Sequence, residues 1–510
     1  MLMVVLMTTT AFAACGDDNA DDENVTVNGM TVQPTSLKFT KDGGTSTINV
    51  QSAVQAFATS NAEWCVVSAG TQTSNLKVTA VTVTVSANTT TDERTAVITI
   101  TAGSESKTVT LTQEKGEDDE ADPEPTTPTD PTGSITMNAM QIAKQMYPGW
   151  NLGNTMEGGN NANNYKNAGI STETSWQSTK TTQEIINFVK ASGFKSVRIP
   201  AAWVMGHITN ESEMTIDEAW LNRVQEIVNY CITADLYVLL NDHWDGGWLE
   251  NSFGDTSNAT IANNSEKLKK LWTQIANKFK DYDDHLIFGG LNEPNCDSQA
   301  KTNALLRYEQ AFIDAVRATG GNNAKRTLVV QGPSTDIDNT DKFYNVSTLT
   351  DPAGNDYLMV EVHFYSPPQF TGIWEDNKPI WFWCKQNHVT GDSHNSTWGE
   401  EDYVLTQFQK MKKKFADKGY PIILGEYGAN WRQIGSNQDK HDASIKLYHK
   451  LVNKYAIECG MVPMVWDINV ANQQGESGIM TIINRAARTI FCTPAYEGIK
   501  EGVAEATWPY

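Results

Sequence analysis

Cysteine and positive charge are both scarce in this sequence of 510 residues. The seven cysteines include no Cys-x-x-Cys pair, so the sequence indicates neither a disulfide framework nor a zinc site. Lysine and arginine together number 39, against 61 aspartates and glutamates. This negative balance argues against nucleic acids and anionic lipid surfaces as partners.

Several common catalytic motifs are absent as well. The sequence contains no phosphate-binding glycine-rich loop, no His-Glu-x-x-His metal motif and no Gly-x-Ser-x-Gly nucleophile elbow. These absences argue against nucleotide-dependent, zinc-dependent and serine-dependent chemistry. We therefore expect the protein to work without a metal or an organic cofactor.

The first 29 residues are typical of an export segment rather than of a folded domain. Residues 1–14 are mostly apolar but too few to span a bilayer, which indicates a signal peptide. The ending Phe-Ala-Ala-Cys resembles a bacterial lipoprotein processing site, which implies acylation of Cys15 and a lipid anchor on the outer membrane or cell surface. Residues 15–29 would then form an acidic surface tether. The alternative is a solvated leader, and both interpretations predict an unstructured segment.

Residues 30–115 show the pattern of an all-β domain. Short stretches such as TSTINV, VTVTVS and TAVITI alternate β-branched and polar residues between glycine-containing turns. The region resembles the BACON domain, which implies a small immunoglobulin-like sandwich without catalytic function. We interpret it as a spacer, with sugar binding as the alternative, because Trp64 is its single tryptophan. Residues 116–135 are acidic and proline-rich and are typical of a semi-extended linker.

The pattern changes again over residues 136–510, where short apolar runs alternate with helical stretches. Strands that alternate with helices imply a parallel sheet, and eight of them imply a (β/α)8 TIM barrel. The strand candidates are GWNLGN, SVRIP, YVLLNDH, LIFGGLNEP, TLVVQGP, MVEVHFY, PIILGEY and VPMVWDI.

Polar side chains recur near the carboxyl ends of these strands, which is where barrels of this type place their active sites. Two carboxylates on one rim are the minimum for glycoside hydrolysis: one donates a proton to the leaving oxygen, and the other attacks the anomeric carbon or activates water. Arg198 and Tyr365 can keep one carboxylate ionised, and Trp466 offers an apolar surface to a sugar ring. The full set is Arg198, His243, Asn292, Glu293, His363, Tyr365, Glu426 and Trp466.

Residues 136–510 resemble glycoside hydrolase family 5 through GWNLGNTME, GFKSVRIP, LNEPN, VEVHFY, ILGEYGA and MVWD. The resemblance implies a retaining mechanism with Glu293 as general acid/base and Glu426 as nucleophile. It further implies that Asn292 contacts the sugar 2-hydroxyl and the nucleophile, and that Arg198 and Tyr365 hydrogen-bond the nucleophile. The remaining residues that it assigns to the cleavage subsite are His243, His363 and Trp466.

The sequence departs from the family pattern after the third strand. Many members have His-His-Asp there, whereas this chain has His243-Trp244-Asp245, followed by two glycines and Trp248. We therefore take Trp244 and Trp248 as candidate substrate-stacking residues. Between the sixth and seventh strands, a sugar-stacking wall and a packed loop core both stay open, with the core favoured for Trp381 and Trp383; the tryptophans concerned are Trp374, Trp381, Trp383 and Trp398.

Together these patterns predict an exported, lipid-anchored, monomeric endo-β-1,4-glucan hydrolase whose partner is a β-linked polysaccharide. Cellulose, mixed-linkage glucan and xyloglucan are the candidate substrates. An endo-β-1,4-mannanase is the nearest alternative, because the same strand-end residues serve both sugars. An alternative of another class is a non-catalytic glycan-binding surface protein, which predicts the loss of at least one carboxylate; both are present.

Overall fold

The chain divides into two compact units, residues 1–127 and 128–510. The computed structural model describes residues 27–41, 43–73, 76–88, 90, 92–115, 132–159, 169–372, 378–471 and 478–510. Cys15, the predicted signal peptide and most of the predicted tether and linker lie outside the described residues. Within the described ranges, no helix is both long and apolar enough to cross a membrane.

The first unit is a sandwich of two four-stranded sheets, as the sequence predicts. One sheet has the order β1-β3-β6-β5 and the other has the order β2-β8-β7-β4. Burial alternates along each strand because successive side chains point to opposite faces; β6, for example, buries Val81, Val83 and Val85 and exposes the threonines between them. The strands are β1 (Thr31–Gln33), β2 (Ser36–Phe39), β3 (Gly44–Gln51), β4 (Phe57–Ser60), β5 (Cys65–Ala69), β6 (Val78–Val85), β7 (Arg94–Ala102) and β8 (Glu105–Gln113).

Trp64, the single tryptophan of the sandwich, is half-buried. Its ring packs against the core of the sandwich, and the guanidinium of Arg94 lies over it, 4.2 Å from the ring centroid. A ring that packs against the core and lies under an arginine offers little free surface to a sugar. This geometry favours the spacer interpretation, although the role of the sandwich stays a prediction.

The second unit is a closed barrel of eight parallel strands, which confirms the predicted (β/α)8 fold. Each strand candidate from the sequence contributes one strand, in the same order around the barrel. The strands are β9 (Gly149–Asn151), β10 (Ser196–Ala201), β13 (Tyr237–Asp242), β14 (Leu286–Gly289), β15 (Leu328–Gln331), β16 (Leu358–Phe364), β17 (Ile422–Tyr427) and β18 (Met461–Val465); two short hairpins add β11 (Ile208–Asn210), β12 (Thr215–Ile216), β19 (Ile483–Asn484) and β20 (Thr489–Ile490).

Helices surround the barrel and bury one apolar stripe each. Helix α3 is typical: it begins after Asp217, whose carboxylate accepts the N–H groups of Ala219 and Trp220, and it buries residues at helical spacing against the strands. The helices are α1 (Ala139–Ala143), α2 (Gln183–Ala191), α3 (Glu218–Thr233), α4 (Asn258–Lys278), α5 (Gln299–Ala318), α6 (Ile337–Phe343), α7 (Pro368–Thr371), α8 (Glu401–Lys414), α9 (Gln438–Glu458) and α10 (Thr493–Glu505).

The barrel interior changes from apolar to polar along its axis. At the end where the strands begin, one side chain from each of several strands joins helix α1 in a separate apolar cluster. Two residues further along the strands, the inward positions are polar: Asn241, Gln331 and Glu361 are all fully buried. The strands therefore lead from a closed apolar floor to a polar layer directly below the rim that carries the predicted site.

Candidate active site

An open cleft of about 1060 Å³ lies at the carboxyl ends of the barrel strands. It is lined by five of the predicted site residues, Glu293, His363, Tyr365, Glu426 and Trp466. Barrels of this type build their active sites on this face. The structure thus brings both predicted carboxylates into one solvent-accessible groove.

The two carboxylates face each other across the cleft. Glu426 belongs to β17 and is 8% exposed, whereas Glu293 lies four residues beyond the end of β14 and is 44% exposed. An oxygen of each carboxylate and a ring nitrogen of His363 all lie within 4.8 Å of one another. Retaining glycosidases separate their carboxyl groups by roughly 5 to 5.5 Å, and inverting ones by roughly 6.5 to 9.5 Å. An approach this close is compatible with a retaining pair.

A bulge in β17 turns Glu426 into the cleft. Ile423 points into the barrel and Leu424 packs against the helices, so strict alternation would direct Glu426 outward. The register with β16 slips at Gly425, however, so that Val362 pairs with Leu424 and the next residue, His363, pairs with Glu426. Bulges next to active sites commonly redirect a side chain in this way.

Glu426 is held by two donors. Arg198 Nη1 donates to its Oε1 at 2.9 Å, and the Tyr365 hydroxyl donates to its Oε2 at 3.0 Å. Burial raises the pKa of Glu426, and the charges of His363 and Arg198 act against that rise. Both contacts favour the ionised form, which is the form that a nucleophile requires.

Arg198 is fully buried and connects several strands. Besides Glu426, its guanidinium donates to Asn151 Oδ1 at 3.0 Å and to Asn292 Oδ1 at 2.8 Å. Its Nε lies 3.0 Å from Glu361 Oε1. Because the guanidinium is planar, these partners fix its orientation and, through it, the position of Glu426.

Glu293 is paired with His363. His363 Nδ1 lies 2.7 Å from Glu293 Oε1. Burial acts to raise the pKa of Glu293, but the hydrogen bond with His363 and the charges of His363 and Arg198 outweigh it and keep the pKa below its ordinary value. The pKa of His363 is raised to about 10: burial opposes its charge, and Glu426, Glu293 and Glu361 overcome that effect.

Trp466 lines the cleft, and the ring of His243 packs against its indole. Their rings are nearly parallel, with centroids 5.7 Å apart. Burial and the nearby charges of Arg198 and His363 hold the pKa of His243 well below its usual range, so the ring is neutral. Trp466 directly follows β18 and presents its indole to the cleft.

Comparisons with known proteins identify the family. The model for cellulase, glycosyl hydrolase family 5, matches residues 159–472, and the model for BACON, a putative binding domain, matches residues 54–114. The chain belongs to glycosyl hydrolase family 5. It is a glycoside hydrolase, and the predicted resemblances to this family and to BACON are both confirmed.

Relatives of this family 5 chain include endoglucanases and xyloglucanases. Endoglucanase A of Paenibacillus barcinonensis is 34% identical over 389 residues, which cover 72% of this chain and 91% of that protein. The crystal structure of a xyloglucan-specific β-1,4-glucanase from a ruminal metagenomic library is 47% identical, with a TM-score of 0.68 over 73% of this chain and 98% of that one. A xyloglucanase of Bacteroides ovatus is 27% identical, with a TM-score of 0.65 over 93% of this chain and 100% of that one.

The His-Trp-Asp segment, which departs from the family pattern, contacts neighbouring loops. Asp245 accepts the backbone N–H groups of Val204 and Met205 at 2.7 and 2.5 Å and so ties the loop after β13 to the loop after β10. Trp244 packs against the indole of Trp176, which is 38% exposed, with centroids 6.3 Å apart. Trp248 packs against the core. Contact of Trp244 and Trp248 with substrate stays a prediction.

The tryptophans between β16 and β17 fall into two groups. Trp383 is fully buried and donates to the carbonyl of Gly399, and Trp381 stacks on His394 with centroids 3.6 Å apart. Trp398 instead lines the cleft and is 43% exposed. The packed-core interpretation thus fits Trp381 and Trp383, and the wall interpretation fits Trp398. Trp374 lies outside the described residues.

Four residues of the site were not found by sequence reasoning. Asn151 holds Arg198, Gln331 and Glu361 lie beneath the catalytic pair, and Glu250 accepts the backbone N–H of Glu293 at 2.7 Å. Burial raises the pKa of Glu250 to about 7. Period-2 alternation could have found Glu361, because it precedes His363 by two positions on β16 and precedes Tyr365, directly after the strand, by four. Glu250 lies in a loop after β13, where no periodic signal exists.

Proposed function

We propose that this glycoside hydrolase cuts within β-1,4-glucan chains by a retaining double displacement, with Glu426 as nucleophile and Glu293 as general acid/base. The observation that supports this most strongly is the approach of the two carboxylates to within 4.8 Å across an open cleft. An open cleft accepts a chain along its length, which suits cleavage inside a polymer. Two carboxylates perform this chemistry without a metal or an organic cofactor.

In the first step, a Glu426 oxygen attacks the anomeric carbon while the bond to the leaving sugar oxygen breaks. The Glu293 carboxyl donates its proton to that oxygen, and a glycosyl ester forms on Glu426. In the second step, Glu293 accepts a proton from water, the water oxygen attacks the anomeric carbon, and the ester bond breaks. The exposed position of Glu293 allows the same group to meet first the leaving oxygen and then water.

The other predicted site residues take supporting roles in this mechanism. Asn292 accepts from Arg198 through Oδ1, which fixes its amide beside the nucleophile for contact with the sugar 2-hydroxyl. Trp466 provides a surface on which a sugar can lie, and the neutral ring of His243 packs beside it. Because Arg198 and Tyr365 donate to Glu426, they also stabilise it as the leaving carboxylate in the second step.

Xyloglucan is the substrate that we propose as preferred. A relative named for xyloglucan specificity is 47% identical, and it matches along 98% of its length. The cleft also extends beyond the catalytic pair, past Asp336 to Trp398, which leaves room for a substituted backbone. Unsubstituted cellulose and mixed-linkage glucan are the alternatives within the same reaction.

A polysaccharide panel tests this function. Reducing ends should appear fastest on xyloglucan, more slowly on mixed-linkage glucan and carboxymethylcellulose, and hardly at all on mannan, with a rapid loss of viscosity that marks internal cleavage. Proton NMR of the first products should show the β anomer. Faster cleavage of mannan would favour the mannanase alternative. Binding of glycan without any release of reducing ends would favour a non-catalytic protein.

We also propose that the enzyme is exported and anchored through an acylated Cys15, and that it acts as a monomer. The support is the Phe-Ala-Ala-Cys ending of the apolar segment and the acidic stretch that follows it. Expression of the full chain in a Gram-negative host with an alkyne fatty acid should label the wild type and not Cys15→Ala. Equal labelling of both would overturn the anchor. Light scattering of the Cys15→Ala protein measures the oligomeric state.

A further inference from the structure

A third carboxylate lies directly beneath the catalytic pair. Glu361, on β16, is fully buried. Its Oε1 lies 3.0 Å from Arg198 Nε and 3.2 Å from His363 Nε2, and its Oε2 accepts from Gln331 Nε2 at 2.7 Å. A buried carboxylate with this many cationic and polar partners is ionised. Burial acts to raise the pKa of Glu361, but Arg198, His363 and Gln331 together keep it below its ordinary value.

Glu361 determines which nitrogen of His363 carries a fixed proton. The imidazole lies between two carboxylates, with Nε2 facing Glu361 and Nδ1 2.7 Å from Glu293. An ionised carboxylate can only accept, so Nε2 must carry a proton toward Glu361. Nδ1 is then left to share a single proton with Glu293, as a donor when the ring is charged and as an acceptor when Glu293 is protonated.

We propose that Glu361 is a positioning residue of the acid/base: by orienting His363 and adding a negative charge below it, Glu361 keeps the transferable proton on the His363–Glu293 pair. This inference assumes that Glu293 is the general acid/base. During the first step, the proton moves from His363 Nδ1 to Glu293 and from Glu293 to the leaving oxygen as the glycosidic bond breaks. His363 is then neutral, and Glu361 still accepts from its Nε2.

The proton on this pair is affected by charges on several elements. Arg198 on β10 favours its loss, whereas the carboxylates favour its retention, because an added positive charge is stabilised by nearby anions. Glu361 lies close to the His363–Glu293 pair whether the proton is on His363 Nδ1 or on the Glu293 carboxyl. The ionisable groups that surround the pair are Arg198, His243, Glu250, Tyr365, Glu361 and Glu426.

The substitution Glu361→Gln in the full chain tests the proposal, because it keeps the shape and removes the charge. The measurement is the dependence of kcat/KM on pH with two substrates. The phenol of phenyl β-cellobioside needs a proton in order to leave, whereas the dinitrophenolate of 2,4-dinitrophenyl β-cellobioside leaves without one. We expect the basic limb for the phenyl substrate to move to lower pH by about one unit or more. The dinitrophenyl substrate should lose less activity above neutral pH. A uniform loss on both substrates with an unmoved limb would overturn the proposal.

Glu309 offers a matched control. It is another fully buried carboxyl of the barrel unit, and it accepts from the backbone N–H of Gln331 at 2.8 Å and from the Tyr344 hydroxyl at 2.6 Å. Glu309→Gln therefore also replaces a buried acid, but one that does not contact His363 or Arg198. Its basic limb should stay where the wild type has it. An equal shift in both variants would mean that the position of the basic limb responds to general destabilisation of the barrel and not to Glu361.

Two further measurements keep the proposal testable if Glu361→Gln does not fold. Nitrogen-15 NMR of the wild type, with His363 assigned by comparison with His363→Asn, should show Nε2 protonated across the active pH range; an unprotonated Nε2 would overturn the proposal. Glu361→Asp, which keeps the charge, should retain the wild-type limb even if its rate falls. Azide rescue of Glu293→Ala tests the acid/base role separately, so successful rescue with an unmoved Glu361→Gln limb defeats this inference alone.

Discussion

The strands of the sandwich and the strands of the barrel use polar residues in opposite ways. In the sandwich, the middle of β8 exposes Thr108 and Thr110 and buries Val109 and Leu111, so these two polar residues face solvent. In the barrel, every residue of β16 is buried, including Glu361 and His363. A polar side chain on a barrel strand must find partners inside the protein, because burying an unpaired polar group costs free energy. Such a residue therefore indicates a functional or structural site. A polar residue in the middle of a strand therefore indicates a surface in β8 and a site in β16.

The largest effect that this comparison predicts is for Glu426, a carboxylate on a fully buried strand. Glu426→Ala should lower kcat by at least about 10⁴-fold, because no other group can attack the anomeric carbon. Azide should partly restore cleavage of an activated aryl glycoside and give the α-glycosyl azide, which NMR identifies. The matched control is Glu309→Ala, which removes a buried carboxyl outside the cleft. Recovery of the β-azide from Glu426→Ala would reverse the two catalytic roles.

A smaller loss is expected for Glu293, which lies beyond the end of its strand. Glu293→Ala should slow polysaccharide cleavage by about 10²- to 10⁴-fold, the usual range for general acid/base catalysis. With a 2,4-dinitrophenyl glycoside the first step needs no acid, so azide should accelerate turnover and give the β-glycosyl azide. No response to azide with this substrate would argue against Glu293 as acid/base.

A weaker effect is expected at the far end of the cleft. Trp398→Ala should raise KM for long oligosaccharides by about two- to tenfold, in line with the energy of one ring-stacking contact. Short aryl glycosides that do not reach Trp398 should be cleaved at the wild-type rate. Trp383→Ala is the contrasting variant, because that indole is fully buried and its loss should lower the melting temperature. Equal KM values for Trp398→Ala and the wild type would remove Trp398 from the binding surface.

The smallest effect should come from the exposed face of the sandwich. Thr110→Ala should change the free energy of unfolding by less than about 1 kcal/mol and leave kcat/KM unchanged. Its neighbour Leu111 is fully buried, and Leu111→Ala should cost about 2 to 5 kcal/mol. Calorimetry of the full chain measures both. A loss of activity in Thr110→Ala would show that the exposed polar face of the sandwich contributes to activity, contrary to this comparison.

Much of this enzyme could be predicted from its sequence because the main signals are local. Apolar runs give the eight barrel strands, and alternation gives the sandwich. The carboxyl ends of the strands then point to the two glutamates that we propose as catalytic. The prediction was less accurate for strand limits: β14 ends at Gly289, so Glu293 belongs to a loop, and Arg198 lies within β10 rather than at its end.

The remainder of the site depends on geometry that spacing does not encode. The bulge at Gly425 reverses the direction in which Glu426 points, and its position depends on pairing with a strand about sixty residues away. Glu250 reaches Glu293 across two separate loops. Of the four loop tryptophans, Trp398 differs from Trp383 only in where the folded chain places it. Long-range contacts decide all three cases.

The missing side chain at position 425 restricts how this enzyme can be altered. A Cβ atom there would lie 1.9 Å from Glu361 Oε1, well inside any permitted contact. A larger residue at 425 would displace the carboxylate of Glu361, so a change at 425 requires a change at 361 as well. A library that randomises position 425 must therefore also sample shorter side chains at 361, whereas position 361 can be varied while glycine stays at 425.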